Sequence, residues 1–203
     1  DHSLCLLFLL FAGIILSQTN EQQKDALITL YKSTDGPNWN INTNWLMDDP
    51  CLNRWYGVSC ENRISGSNVT TLRLTANNLV GTLPPELSNL TSLQNMILHY
   101  NYMSGSIPTE MGTMVSLNDL DLYSNKLSGS IPTEVGNLVS LTALYLFSNS
   151  LSGSIPTEVG NLVSVNDVRL HNNSLSGSIP TEVGNLQHLG NLYLCNNSLS
   201  GSI

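Results

Sequence analysis

Basic residues are scarce: seven Lys and Arg face fifteen Asp and Glu among 203 residues, a formal net charge of −8. A chain with so few cations has no basic face to offer nucleic acid or an anionic membrane, and a basic or neutral partner fits it better. Long apolar runs are lacking too. The longest, Leu4 to Leu16, holds thirteen residues interrupted only by Cys5 and Gly13, whereas a bilayer-spanning helix needs about 20. Its length and the polar Ser17-Gln18-Thr19-Asn20 after it match the apolar centre of a secretory leader, expected over residues 1–17. No initiator Met or basic start precedes it, and Ile203 falls in mid-motif, so a longer natural protein is expected. Catalytic signatures are absent: there is no P-loop, Gly-x-Ser-x-Gly, His-Glu-x-x-His or kinase motif. No catalytic residue, cofactor or metal is therefore expected in this chain.

What the chain has in abundance is repetition. Ser-Gly-Ser-Ile-Pro-Thr-Glu recurs with its glycine at Gly105, Gly129, Gly153 and Gly177, a strict 24-residue period. In that register Leu93, Leu117, Leu141, Val165 and Leu189 form one column, and Asn101, Asn125, Asn149, Asn173 and Asn197 another. A degenerate copy precedes them, with Val69, Leu72, Leu74, Asn77, Leu79 and Gly81. Each unit reads L-x-x-L-x-L-x-x-N-x-L-x-G-x-I-P, whose first eleven positions match the leucine-rich-repeat signature. The expected fold is α/β: a right-handed leucine-rich-repeat solenoid with a parallel sheet on its concave face and short 3₁₀ or helical turns on its convex face. Repeats are placed at 68–91, 92–115, 116–139, 140–163 and 164–187, with a truncated unit at 188–203.

A repeat protein buries each turn only against its neighbours, so its first turn needs a cover. Residues 18–67 have no 24-residue period and carry all three tryptophans, which marks them as that cap. Thr19 with Gln22, or Asn20 with Gln23, can open a helix. Ala26, Leu27, Leu30 and Tyr31 then recur at helical spacing, and Asp35-Gly36-Pro37 ends it. Trp45 and Trp55 suit the covering task, with sugar stacking as the alternative role. Cys51 and Cys60 bracket eight residues and are expected to pair as a disulfide, since no second Cys/His pair lies at zinc-ligand spacing. Cys195 is expected to be a free thiol.

The helix, Trp, Asp49-Pro50-Cys51 and Trp55-Tyr56-Gly57-Val58-Ser59-Cys60 ahead of L-x-G-x-I-P repeats resemble the plant-type leucine-rich-repeat extracellular domain. Ectodomains of receptor-like kinases and receptor-like proteins, and secreted polygalacturonase-inhibiting proteins, share this arrangement over residues 20–203. The Thr34-Asp35-Gly36-Pro37-Asn38-Trp39 segment is similar to cap variants in related algal and protist proteins. The resemblance implies recognition outside the cell or at its surface, of a peptide, protein or glycan and with a co-receptor as a further partner. Three classes stay open: a receptor ectodomain, a secreted inhibitor of a cell-wall-degrading enzyme, and a structural or adhesive wall protein.

Positions within a unit divide by role. The asparagines Asn77, Asn101, Asn125, Asn149, Asn173 and Asn197 are expected to bond backbone groups of neighbouring turns. Glu86, Glu110, Glu134, Glu158 and Glu182 form an acidic column that reads either as a ligand edge or as copied surface. Outward strand positions are where units disagree, and five of the six repeat aromatics fall there: Tyr100, Tyr123, Tyr145, Phe147 and Tyr193. The candidate binding surface is His99, Tyr100, Asp119, Asp121, Tyr123, Tyr145 and Phe147. Rigid aromatics there suit a peptide, protein or glycan interface, while neighbours on a sheet also stack on one another for strand stability alone. Asp167 and Arg169 are expected to pair. His99 and His171 stand three units apart, roughly 15 Å, too far to share a metal. Sequons at Asn68, Asn89, Asn172 and Asn196 are candidate glycosylation sites, the last two in adjacent units, where glycans would crowd.

Overall fold

The computed structural model describes residues 21–62 and 64–201. The expected leader over 1–17, with Cys5, and the helix-opening Thr19 and Asn20 lie outside the described residues. A helix occupies 21–33, and β1 (Val58–Cys60) comes after it. Each later turn contributes one strand to each of two sheets. They are β2 (Val69–Arg73) and β3 (Val80–Thr82), β4 (Asn95–Ile97) and β5 (Tyr102–Gly105), and β6 (Asp119–Asp121) and β7 (Lys126–Gly129). Then come β8 (Ala143–Tyr145) and β9 (Ser150–Gly153), β10 (Asp167–Arg169) and β11 (Ser174–Gly177), and β12 (Asn191–Tyr193) and β13 (Ser198–Leu199).

The concave sheet runs β1-β2-β4-β6-β8-β10-β12, parallel except for β1, which pairs antiparallel with β2. Partners are 24 residues apart, as Asp119↔Ala143↔Asp167 shows. The second sheet runs β3 to β13. Its strands lie just before the Ile-Pro pair rather than on it, because Gly105, Gly129, Gly153 and Gly177 take φ of +75 to +78° and turn the chain first. Proline then leads into a 3₁₀ turn, such as Thr133–Asn137. Between the sheets and these turns the core is continuous: Leu72, Leu93, Leu117, Leu120, Leu141, Leu144 and Val165 are fully buried.

The cap joins this core rather than standing apart. Gln23, 2% exposed, accepts the Val69 amide at 2.9 Å and donates to Asn68 at 3.1 Å, so the helix is bonded to the first repeat strand. All three tryptophans are buried, Trp39 included. Trp39 meets Trp45 edge to face at 4.8 Å, and Trp45 lies tilted against Trp55 at 4.9 Å. Sugar stacking on them is ruled out by that burial. Cys51 and Cys60 form a disulfide with a Cα–Cα distance of 5.7 Å, while Cys195 is exposed and free. Asp49 accepts the Cys51 and Leu52 amides at 2.8 Å and the Ser65 hydroxyl at 3.0 Å. Burial pushes its carboxyl up, but these hydrogen bonds, with one from Gly66, outweigh that and hold it below the usual carboxylate range.

A second glycine column sets how closely the turns stack. A Cβ on Gly136 would lie 2.3 Å from the Glu158 carbonyl oxygen of the next turn. Backbone cannot retreat there without opening the solenoid, so Gly136→Ala is expected to cost about 1–3 kcal/mol as an overpacking change. A thermal melt checks this, and an unchanged midpoint would contradict it.

Candidate functional site

Apart from β2, the concave strands are only three residues long, so the bend leaving each one matters as much as the strand. After the inward leucine the chain places one outward side chain, then a residue in the left-handed region: Ala76, Tyr100, Ser124, Ser148, Asn172 and Asn196, with φ of +50 to +57°. Asparagine tolerates that conformation, whereas a bulky ring there is strained. Tyr100 holds it nonetheless, 57% exposed at the rim of the sheet.

The outward position just before that bend carries a ring in four successive turns. His99 stacks on Tyr123 at 4.4 Å, Tyr123 on Phe147 at 4.2 Å, and Phe147 on His171 at 4.4 Å, all within 11° of parallel. Parallel pairing sets this spacing, because adjacent strands stand about 4.8 Å apart and rings in one column must meet face to face. Tyr100 closes one end edge-on to Tyr123 at 5.0 Å. His171 lies outside the candidate surface drawn from the sequence, yet it completes the ladder. Its signal is in the register, since residues 99, 123, 147 and 171 share one column.

Beside the ladder lies a charged band. Arg169 meets Asp167 through Nε at 3.1 and 3.2 Å and through an outer nitrogen at 2.7 Å. Its guanidinium also lies 4.9 Å from the Tyr145 ring centre and 5.2 Å from that of Tyr193. Tyr145 donates its hydroxyl to Asp167 at 3.2 Å. The Arg169 hydrogen bonds hold Asp167 below the usual carboxylate range despite burial. Asp121 behaves oppositely. Its Oδ2 meets His99 Nδ1 at 2.7 Å, but burial and the neighbouring Asp119 charge push it up. Burial likewise raises Asp119, with Arg73 and His99 pulling the other way. Tyr123 is pushed up to about 12, first by burial and then by Tyr100.

The remaining candidates fall elsewhere. Asn101, Asn125, Asn149, Asn173 and Asn197 donate to backbone carbonyls of their own and the preceding turn and accept an amide from that preceding turn. Asn77 differs by bonding both backbone groups of Ile41 in the cap. Glu110, Glu134, Glu158 and Glu182 each accept from the preceding threonine hydroxyl through Oε2 at 3.1–3.3 Å. Among the described residues no group of three or more His, Cys, Asp or Glu is placed to hold a metal. The Asn68 side chain is engaged by Gln23 and Glu61, and Asn89 is half-buried at the end of a 3₁₀ turn. Asn172 and Asn196 are exposed and touch, amide to carbonyl, at 2.6 Å.

Residues 20–61 match the family described as leucine rich repeat N-terminal domain, and residues 68–90, 116–138, 140–162 and 164–186 match leucine rich repeat. Over 94 residues the chain is 41% identical to the leucine-rich repeat receptor-like protein kinase PEPR2 of Arabidopsis thaliana, covering 44% of this chain and 8% of that protein. Among solved structures, the BIR2 ectodomain from Arabidopsis thaliana superposes with a TM-score of 0.73 at 33% identity, covering 85% of this chain and 94% of that one. The Arabidopsis receptor kinase HAESA ectodomain, solved with an N-terminal extended IDA peptide hormone ligand, gives 0.76 at 33% identity, covering 90% of this chain and 30% of that one. The chain spans about a tenth or less of the length of the first curated relatives it matches.

Proposed function

The chain belongs to the leucine-rich-repeat family, with the N-terminal domain and repeats of plant receptor ectodomains, and from that membership we propose that it recognises an extended extracellular peptide. The contact zone is the concave surface from Tyr100 to Phe147. One observation carries this reading: the units vary where side chains face outward from the concave strands, and there they present a stacked ring ladder flanked by carboxylates. A ladder of this kind gives a peptide a rigid apolar floor at low entropic cost. The HAESA ectodomain, which shares this fold, was solved with a peptide ligand. A second ectodomain acting as co-receptor fits the same reading, since a BIR3–SERK2 complex is among the similar structures. The catalysis that the names of the kinase relatives carry is assigned to no residue of this chain.

Glycans would confine the ligand further. Asn172 and Asn196 are too close for two core sugars to attach without displacing their shared hydrogen bond. Mass spectrometry of secreted protein is expected to show sugar at one or other asparagine, rarely at both on one molecule. Bare asparagines at both positions would leave that end of the face open and remove this boundary. Peptide recognition itself is tested by selecting a display library of short linear peptides on the folded chain. Binders that compete with one another and lose affinity when the ring ladder is removed are expected. Binders indifferent to the ladder would contradict the proposed surface.

A further inference from the structure

We propose that Asp119 and Asp121 form the subsite for a single arginine side chain of the bound peptide, an inference that rests on the concave face being the peptide surface. The two carboxylates stand at the ends of β6, two residues apart, and so face the same way. Asp121 is 7% exposed, and its Oδ1, like Oδ1 of Asp119, is buried with no hydrogen-bond partner. Buried acceptors are ordinarily paired, so these two oxygens keep acceptor capacity that no group of the chain uses.

The chain itself shows what belongs there. Asp167 shares a column with Asp119 through Ala143, and Arg169 shares one with Asp121 through Tyr145. In β10 the aspartate is satisfied by the guanidinium two residues on, which also lies over Tyr145 and Tyr193. In β6 the residue two places on is a second aspartate, so the acceptors are doubled and the cation is absent. One aromatic wall persists: Tyr145 is paired beside Asp121, whereas both faces of Tyr123 are covered by His99 and Phe147. Among the described residues no Lys or Arg pairs with either carboxylate, and His99 takes only Oδ2 of Asp121, leaving Oδ1 of both aspartates unpartnered. Those described residues form the ion pairs His99–Asp121 and Arg169–Asp167, so Arg73 acts on Asp119 only from a distance. Lys126 is engaged over Tyr102 on the second sheet. A guanidinium suits the site better than an ammonium, because its planar fork of donors reaches two carboxylates while its face stacks on a ring.

The test uses peptides selected on the intact chain. Binders are expected to carry an arginine at one fixed position. Replacing it with citrulline, which keeps the shape and loses the charge, should weaken binding at least about ten-fold on the native chain and under about two-fold on Asp119→Asn/Asp121→Asn. If the double variant is poorly folded, Asp119→Asn alone serves, since Asp119 makes no side-chain hydrogen bond to lose. Binders without a basic residue, or an equal citrulline effect on native and variant chains, would overturn the arginine subsite while leaving peptide recognition intact. Absence of any binder on a folded chain would overturn both.

Discussion

Asn149→Ala is expected to destabilise the chain by about 3 kcal/mol, since three backbone partners are lost together at roughly 1 kcal/mol or more each. The amide donates to the Leu122 and Leu146 carbonyls at 3.1 Å, and its oxygen accepts the Leu127 amide at 3.0 Å. The two carbonyls lie just past β6 and β8, where the concave strands have ended, and the Leu127 amide lies in β7, so the side chain ties the bend to both sheets. For a chain of this size the thermal midpoint should fall by roughly 5–10 °C. Ser150→Ala next door, an exposed position, should leave it unchanged. Equal midpoints for native and Asn149→Ala proteins would show that the asparagine column is not a structural ladder.

Removing Tyr123, Tyr145 and Phe147 together should act on binding instead. Truncating anchor rings at an interface commonly costs about 2 kcal/mol or more each, so the selected peptides should lose at least about 100-fold in affinity. Folding survives because the leucines beneath, Leu122, Leu144 and Leu146, are fully buried and untouched. Some stability is still lost. Tyr123 and Phe147 stack on each other and on the two histidines, and each such pair is worth about 0.5–1.5 kcal/mol. A lower midpoint with a cooperative melt is therefore expected beside the binding loss, and retained binding would sink the proposed surface.

The period makes the solenoid legible from sequence alone. Columns of leucine and asparagine spaced 24 apart predict parallel strands in register, and β2 to β12 pair in that register. The second glycine column is not legible in the same way, because its reason is a neighbouring turn's carbonyl rather than its own dihedral angle. Trp39 is equally silent in the sequence, since burial at the cap depends on how the helix closes over the first strand. At the site, the sequence marks the variable positions but not their partnerships. The register already brings His99 near Asp119 and Asp121, but only the structure shows that it bonds Asp121, at 2.7 Å, and His171 looks isolated until Phe147 stacks against it. Depth is hidden too: Asp121 occupies an outward position yet is buried, because large neighbours on adjacent strands enclose it.

The decisive measurement compares two variants of this chain against one selected peptide. One variant replaces Tyr123, Tyr145 and Phe147 with alanine on the concave face, and the other replaces Glu110, Glu134 and Glu158 with glutamine in the copied turns. If the divergent strand faces are the recognition surface and the repeated positions only its support, the first loses the peptide while the second keeps native affinity. A peptide that leaves with the glutamate column and stays without the rings would place recognition on the repeats and contradict the account.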